Sequence, residues 1–276
     1  MPSLRVDDGK LVIHYRDSGR GSQAVVLLHG FPFNSGLWEP QIRELSRAYR
    51  VLAPDLRGFG RTDLSGAYSI DRLADDVADL TSALGLRRVV LIGLSMGGYV
   101  AFAFYRRHAE RLIGLGLSDT RPDPDSDQTR AERARLAALA RQQGSTPVVE
   151  ALLPNLLSET TKRRSPEVVD ALRAMMASSR PEAIAAALMA MAERDDSRPL
   201  LSSMRLPVLV TGGEEDTLTP PEQVEAWATG IPSARLAFIQ GAGHVANLER
   251  PDDFNALVVD FLRTVYGEGP EERSNP

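Results

Sequence analysis

Apolar and polar positions along residues 1–120 fall into alternating blocks that read as strand, helix, strand. Leu4-Arg5-Val6 and Leu11-Val12-Ile13-His14-Tyr15 flank Asp8-Gly9, the pattern of a hairpin turn. Ala24-Val25-Val26-Leu27-Leu28 is apolar throughout, as expected of a strand covered on both faces. From Leu37 to Tyr49, Trp38, Ile42 and Leu45 recur on one side of a predicted helix, and Arg50-Val51-Leu52-Ala53 predicts the next strand. Ser69 is placed to cap a helix bearing Leu73, Val77 and Leu80, which Gly85 stops. Strands over Val89–Ile92 and Leu112–Leu117 follow, with a helix-forming stretch from Gly98 between them. Repeated strand–helix–strand units imply a parallel sheet with helices on both faces.

The rhythm breaks at Arg121-Pro122-Asp123-Pro124-Asp125. Beyond it no strand pattern recurs until Leu206–Val210 and Ala234–Ile239; the intervening spacing predicts helices over 129–142, 147–157, 166–178 and 181–193. Pro stands near the first position of three of them, where its missing N–H costs nothing. A last helix is expected from Pro251 to Val265, followed by a polar tail, Gly267–Pro276, expected to fray. The chain therefore divides into an α/β core, residues 1–122 and 204–276, and a helical insertion, 123–203, placed to act as a cap.

Composition narrows the function classes. With 276 residues, 43% hydrophobic and 25% charged, the chain is long enough for one large core with an insertion. A net charge of −5 argues against nucleic acid or an anionic membrane as partner. Cysteine is absent, which excludes disulfides, thiolate nucleophiles and cysteine metal sites. The four His share no metal-ligand spacing, so no metal is expected. The polar first ten residues and the lack of a long apolar run point to a soluble, cytoplasmic protein. All but two of the basic residues are Arg, Lys10 and Lys162 being the exceptions. Oligomeric state is open, and a homo-oligomer is compatible with this composition.

Candidate chemistry centres on Gly93-Leu94-Ser95-Met96-Gly97, between a buried strand and a helix. Gly-x-Ser-x-Gly in that context is the pattern of a nucleophile elbow, which lifts a Ser hydroxyl at a strand end above a helix N-terminus. Ser needs a base to take its proton, His is the side chain suited to that, and a buried carboxylate fixes the His tautomer. Ligands in open parallel sheets bind at the carboxyl ends of strands. His244, in Gly241-Ala242-Gly243-His244, lies just past the 234–239 strand, and Asp216 lies just past the 206–210 strand. The adjacent Glu214 and Glu215 are alternatives for the acid, as is Asp119 after the 112–117 strand. The loop His29-Gly30-Phe31-Pro32 follows another strand, and because Pro32 has no N–H, Phe31 is its candidate backbone donor to an oxyanion; the N–H of Met96 is the other.

These blocks, with Pro54-Asp55-Leu56-Arg57-Gly58-Phe59-Gly60-Arg61-Thr62, carry a resemblance over nearly the whole length to the α/β-hydrolase superfamily. Within it the chain resembles small bacterial carboxylesterases, enol-lactonases and cofactor-free haloperoxidase-like serine hydrolases. The resemblance implies an α/β-hydrolase fold: a mostly parallel eight-stranded sheet flanked by helices, with an inserted cap. It implies ester hydrolysis through an acyl-enzyme, without metal or organic cofactor, and from Gly213-Glu214-Glu215-Asp216 it implies Asp216 as the acid. Relatives that are epoxide hydrolases or haloalkane dehalogenases carry Asp as nucleophile, and Ser95 argues against both activities.

The expected substrate is a small, short-to-medium-chain ester. Lactone or enol-lactone hydrolysis, perhydrolysis, carbon–carbon bond hydrolysis and a ligand-binding scaffold are the alternatives. Phe33, Trp38, Met175, Met189 and Val245 are candidates to line the substrate pocket, although Met and aromatic residues at helical spacing also fill cores. His29 is expected to brace the oxyanion loop, and Asp55 and Arg57 to hold a loop.

Overall fold

The computed structural model describes residues 1–267, so the expectation for the tail beyond Gly267 lies outside the described residues. Eight strands form one sheet: β1 (Ser3–Val6), β2 (Leu11–Ser18), β3 (Ala24–Leu28), β4 (Arg50–Pro54), β5 (Val89–Leu94), β6 (Leu112–Ser118), β7 (Val208–Gly213) and β8 (Ala234–Ile239). Their spatial order is β1-β2-β4-β3-β5-β6-β7-β8, with β2 antiparallel to both neighbours and every later pairing parallel. Every residue of β3, β5 and β7 is buried, which is why β3 reads as an unbroken apolar run and β5 and β7 open on one.

The helices are α1 (Glu39–Leu45), α2 (Ile70–Ala83), α3 (Met96–His108), α4 (Asp127–Gln143), α5 (Thr146–Leu152), α6 (Glu159–Arg164), α7 (Pro166–Ala177), α8 (Pro181–Ala192), α9 (Arg198–Leu201), α10 (Pro221–Ala228), α11 (Ala246–Glu249) and α12 (Pro251–Tyr266). α2 starts as its sequence predicts: the Ser69 hydroxyl accepts the Arg72 N–H at 3.0 Å. The expected helix over 37–49 is shorter. A 3₁₀ turn, Ser35–Trp38, comes first, capped by the Asn34 side chain on the Gly36 N–H, and Pro40 then sits in the first turn of α1.

Between β6 and β7 the chain is helical. The expected helix over 147–157 divides, because Pro154 interrupts it; α5 ends at Leu152 and a 3₁₀ turn, Leu153–Asn155, follows. α6 is an addition to the expected set, opened by the Ser158 hydroxyl accepting the Thr161 N–H at 3.1 Å. Two apolar clusters tie these helices to the sheet. One joins Leu136, Ala140 and Ile184 with Phe59, Met96 and Val100; the other joins Leu153, Leu172 and Met176 with Phe33, Leu37 and Val245. No described helix is long and apolar enough to cross a membrane.

Candidate active site

Register brings the candidate residues together. Leu94 of β5 pairs with Ser118 of β6, and Ser118 with Thr211 of β7, so these strands finish side by side. Ser95 and Asp119 are the first residues past β5 and β6; Asp216 lies three residues past β7, and His244 five past β8. The loops after four strands therefore open onto one place.

Ser95 sits on a strained turn. Its φ of 54° and ψ of −114° are costly for a residue with a Cβ, on the order of 1–3 kcal/mol. Several bonds enforce it: the Ser95 N–H donates to Ser118 O at 2.9 Å, and Ser95 O accepts the Gly98 N–H at 2.8 Å and the Thr120 hydroxyl at 2.9 Å. The flanking glycines are sterically required. A Cβ on Gly93 would lie 2.2 Å from Gly97 O, and one on Gly97 would lie 2.2 Å from Leu28 O.

The raised hydroxyl meets a base. His244 Nε2 is 2.8 Å from Ser95 Oγ, and His244 Nδ1 is 2.8 Å from Asp216 Oδ2. With Asp216 ionised, Nδ1 carries the proton and Nε2 accepts from the Ser hydroxyl. Both ring nitrogens are thus engaged by protein partners. Asp216 is itself held by the N–H groups of Leu218 and Thr219, at 2.8 and 3.1 Å, and by the Thr219 hydroxyl.

Burial would push the Asp216 carboxyl up. The His244 ring, first by its charge and then by its hydrogen bond, and the Thr219 donors outweigh it and hold the group at about 2. For His244 burial works against the charged form, but the Asp216 carboxylate, with a smaller pull from Asp119 against Arg121, leaves the ring above its ordinary value. Asp119 is the second carboxyl here. One atom each of Asp119, Asp216 and His244 lie within 4.8 Å of one another. Asp119 accepts the Ser118 hydroxyl at 2.6 Å and the Gly213 N–H at 3.0 Å, but burial and the neighbouring Asp216 charge push it up to about 8. Glu214 and Glu215, the other acids considered, are exposed.

The expected oxyanion donors flank the hydroxyl's strand. Met96 opens α3, so its N–H has no acceptor within the helix. Phe31 lies at the apex of a turn closed by the Phe33 N–H on Gly30 O at 3.1 Å. Neither the Phe31 nor the Met96 N–H has a protein acceptor among the described residues. His29 is fully enclosed: Nδ1–H donates to Gly30 O at 2.8 Å and Nε2 accepts the Leu56 N–H at 2.9 Å. Its burial lowers its proton affinity below that of an ordinary histidine. Of the candidate pocket residues, Phe33, Trp38 and Val245 present no accessible surface and pack within the apolar core. Met175 and Met189 are half-buried on the inserted helices.

A family model described as alpha/beta hydrolase fold matches residues 23–251, from β3 to the start of α12. The chain belongs to the alpha/beta hydrolase fold family. Among solved structures, this hydrolase is similar to a thermophilic esterase from Thermogutta terrifontis, with a TM-score of 0.94 and 40% identity covering 96% of this chain and 100% of that one. In sequence it is 28% identical to 3-oxoadipate enol-lactonase 2 of Acinetobacter baylyi, over 92% of this chain and 94% of the relative. It is 30% identical to 2-hydroxy-6-oxo-6-phenylhexa-2,4-dienoate hydrolase of Comamonas testosteroni, over 93% of both chains.

Two site residues carry no sequence signal of their own. Thr219 is three positions past Asp216 in an ordinary Thr-Pro-Pro turn. Glu249 is buried and joins two loops, accepting the Gly243 N–H at 2.7 Å and the Ser158 N–H at 2.8 Å. Its task is visible only once the inserted helices are docked beside the His244 loop.

Proposed function

We propose that this alpha/beta hydrolase is a serine carboxylic-ester hydrolase acting on small esters. The observation that carries the reading is the unbroken hydrogen-bonded chain from Ser95 Oγ through His244 to Asp216, at 2.8 Å for each link. In this reading His244 Nε2 takes the Ser95 proton as Oγ attacks the ester carbonyl, and Asp216 stabilises the imidazolium that forms. The carbonyl oxygen becomes an oxyanion between the Phe31 and Met96 N–H groups. The imidazolium gives its proton to the leaving alkoxide, and the alcohol departs from the acyl-enzyme. Water, deprotonated by the same nitrogen, attacks the acyl carbon and releases the acid and a regenerated Ser95. The helices between β6 and β7 serve as the cap, and their half-buried Met175 and Met189 contribute to the acyl or alcohol pocket.

The test is p-nitrophenyl ester hydrolysis by the Ser95→Ala variant. The expected loss in kcat is on the order of 10³-fold or more, and a variant that keeps near-wild-type turnover overturns the reading. The enol-lactonase relative supports a second reading, in which the ester is cyclic. A panel of short-chain esters and small lactones separates the two by kcat/KM.

A further inference from the structure

The bend between α7 and α8 enters the loop that carries Phe31. Ser179 is 5% exposed, and its hydroxyl donates to Pro32 O at 2.9 Å across 147 positions of sequence. The next residue, Arg180, donates from Nη2 and Nε to Gly58 O at 2.9 and 3.3 Å, and from Nη2 to Thr62 O. One turn further on, Ala183 packs so closely on Gly58 that a Cβ there would lie 2.9 Å from the Ala183 Cβ. Two successive side chains from the inserted helices thus grip two neighbouring loops of the sheet domain.

Those two loops are already joined to each other. His29 bridges Gly30 O and the Leu56 N–H, while the Asp55 carboxylate accepts the Ser35 N–H at 2.8 Å and the Arg61 N–H at 2.9 Å. The Phe59 ring stands edge-on to His29 at 5.5 Å and to Phe31 at 6.1 Å. The turn bearing Phe31 therefore has its entry carbonyl, Gly30 O, fixed by His29 and the Phe33 N–H. Its exit carbonyl, Pro32 O, is held by Ser179. The Phe31 N–H lies between these two fixed points.

We propose that Ser179 and Arg180 are positioning residues for the Phe31 N–H, so that the inserted helices set the alignment of one oxyanion donor as well as covering the site. The proposal rests on the reading of Phe31 as a donor. Losing the Ser179 hydroxyl leaves Pro32 O buried without its bond, and the turn relaxes toward another partner. A donor a fraction of an ångström out of place stabilises the oxyanion less while barely touching ground-state binding.

The experiment is steady-state hydrolysis of a p-nitrophenyl ester by wild type, Ser179→Ala, Ser179→Thr, Arg180→Met and Ser95→Ala, each well below its own melting temperature. Ser179→Ala is expected to lose about 10- to 100-fold in kcat with KM changed less than about twofold. Ser179→Thr, which keeps the hydroxyl, is expected to recover most of that loss. Arg180→Met is expected to lower kcat in the same pattern by a smaller factor, and it carries the test should Ser179→Ala not fold. A trifluoromethyl ketone, which forms an oxyanion on Ser95, is expected to bind the variants more weakly by the factor lost in kcat/KM. Wild-type kcat in a folded Ser179→Ala or Arg180→Met, or a loss confined to KM or to melting temperature, overturns the proposal while Ser95→Ala remains inactive. An active Ser95→Ala overturns the site reading and the proposal with it.

Discussion

Asp119 and Asp216 approach the His244 ring from the ends of neighbouring strands, β6 and β7, and their environments drive them apart. Asp216 faces the imidazole and three donors from residues 218 and 219 and is held at about 2; Asp119 has two donors and a like charge beside it and is pushed up to about 8. The linkage signs oppose. Asp216 contributes stability that is present above its ordinary value of 3.8 and lost as pH falls through about 2. Asp119 binds a proton in the folded state that the unfolded chain has already released, so stability declines as pH rises from 3.8 to about 8. Asp119→Asn removes that decline. Its melting temperature, followed from pH 5 to pH 9, is expected to fall less than that of wild type; parallel curves count against a raised Asp119. His244 lies above 6.5 in the folded state, so its contribution is present below that value and lost as pH rises through the folded one. In the proposed mechanism His244 acts in its neutral form, so the acid limb of the kcat/KM profile is expected above the ordinary histidine value. Asp216→Asn is expected to move that limb down and to lower kcat on the order of 10⁴-fold. Ser95 and His244 were legible because glycine spacing and strand-end position mark them in the sequence. The pairing of Asp119 with Asp216 was not, since it depends on the register of β6 against β7, which nothing local encodes.

The Arg57 side chain, fully enclosed, binds elements that the chain order keeps apart. It makes two bonds to Asp76 of α2, at 2.8 and 2.7 Å, one to Asp7 in the β1–β2 turn at 3.1 Å, and one to Ser65 O. Removing one partner of a buried ion pair strands the other, which costs about 3–5 kcal/mol, whereas replacing both with apolar side chains of similar volume is often neutral. Chemical denaturation is expected to find Arg57→Ala destabilised by that amount and Arg57→Met with Asp76→Leu much less so. Equal losses in the two would argue that packing, not charge, decides the site. Elements differed in legibility for a physical reason. β3 and β8 appear within one residue of their expected spans, because apolar runs bounded by turn residues leave few alternatives. α6 leaves no signature in the sequence because Glu159-Thr160-Thr161-Lys162-Arg163-Arg164 has no apolar stripe. It forms where Glu249 holds the Ser158 N–H at its start, a contact 91 positions away.

At the scale of the molecule, the sheet and the inserted helices share both apolar clusters, and polar anchors at Ser158, Ser179 and Arg180 add to the seam. Neither part buries its apolar face alone, so the two are expected to unfold together. Calorimetry should give one transition with equal calorimetric and van't Hoff enthalpies; an earlier transition carrying only helical signal would show that the insertion melts by itself. The interruption of the sheet by these helices was readable from the Pro-Asp run after β6, whereas the anchors belong to the folded surface alone. The wide spacing of Ser95 and His244, 149 positions apart, bears on how the protein is made. At a ribosomal rate of about 5–20 residues per second, the serine is synthesised roughly 7 to 30 s before its base. Throughout that interval it is an ordinary alcohol. Under the proposed reading the nascent chain cannot turn over an ester in that interval, and the Ser95–His244 pair forms only when β8, the edge strand from which the histidine loop departs, joins the sheet.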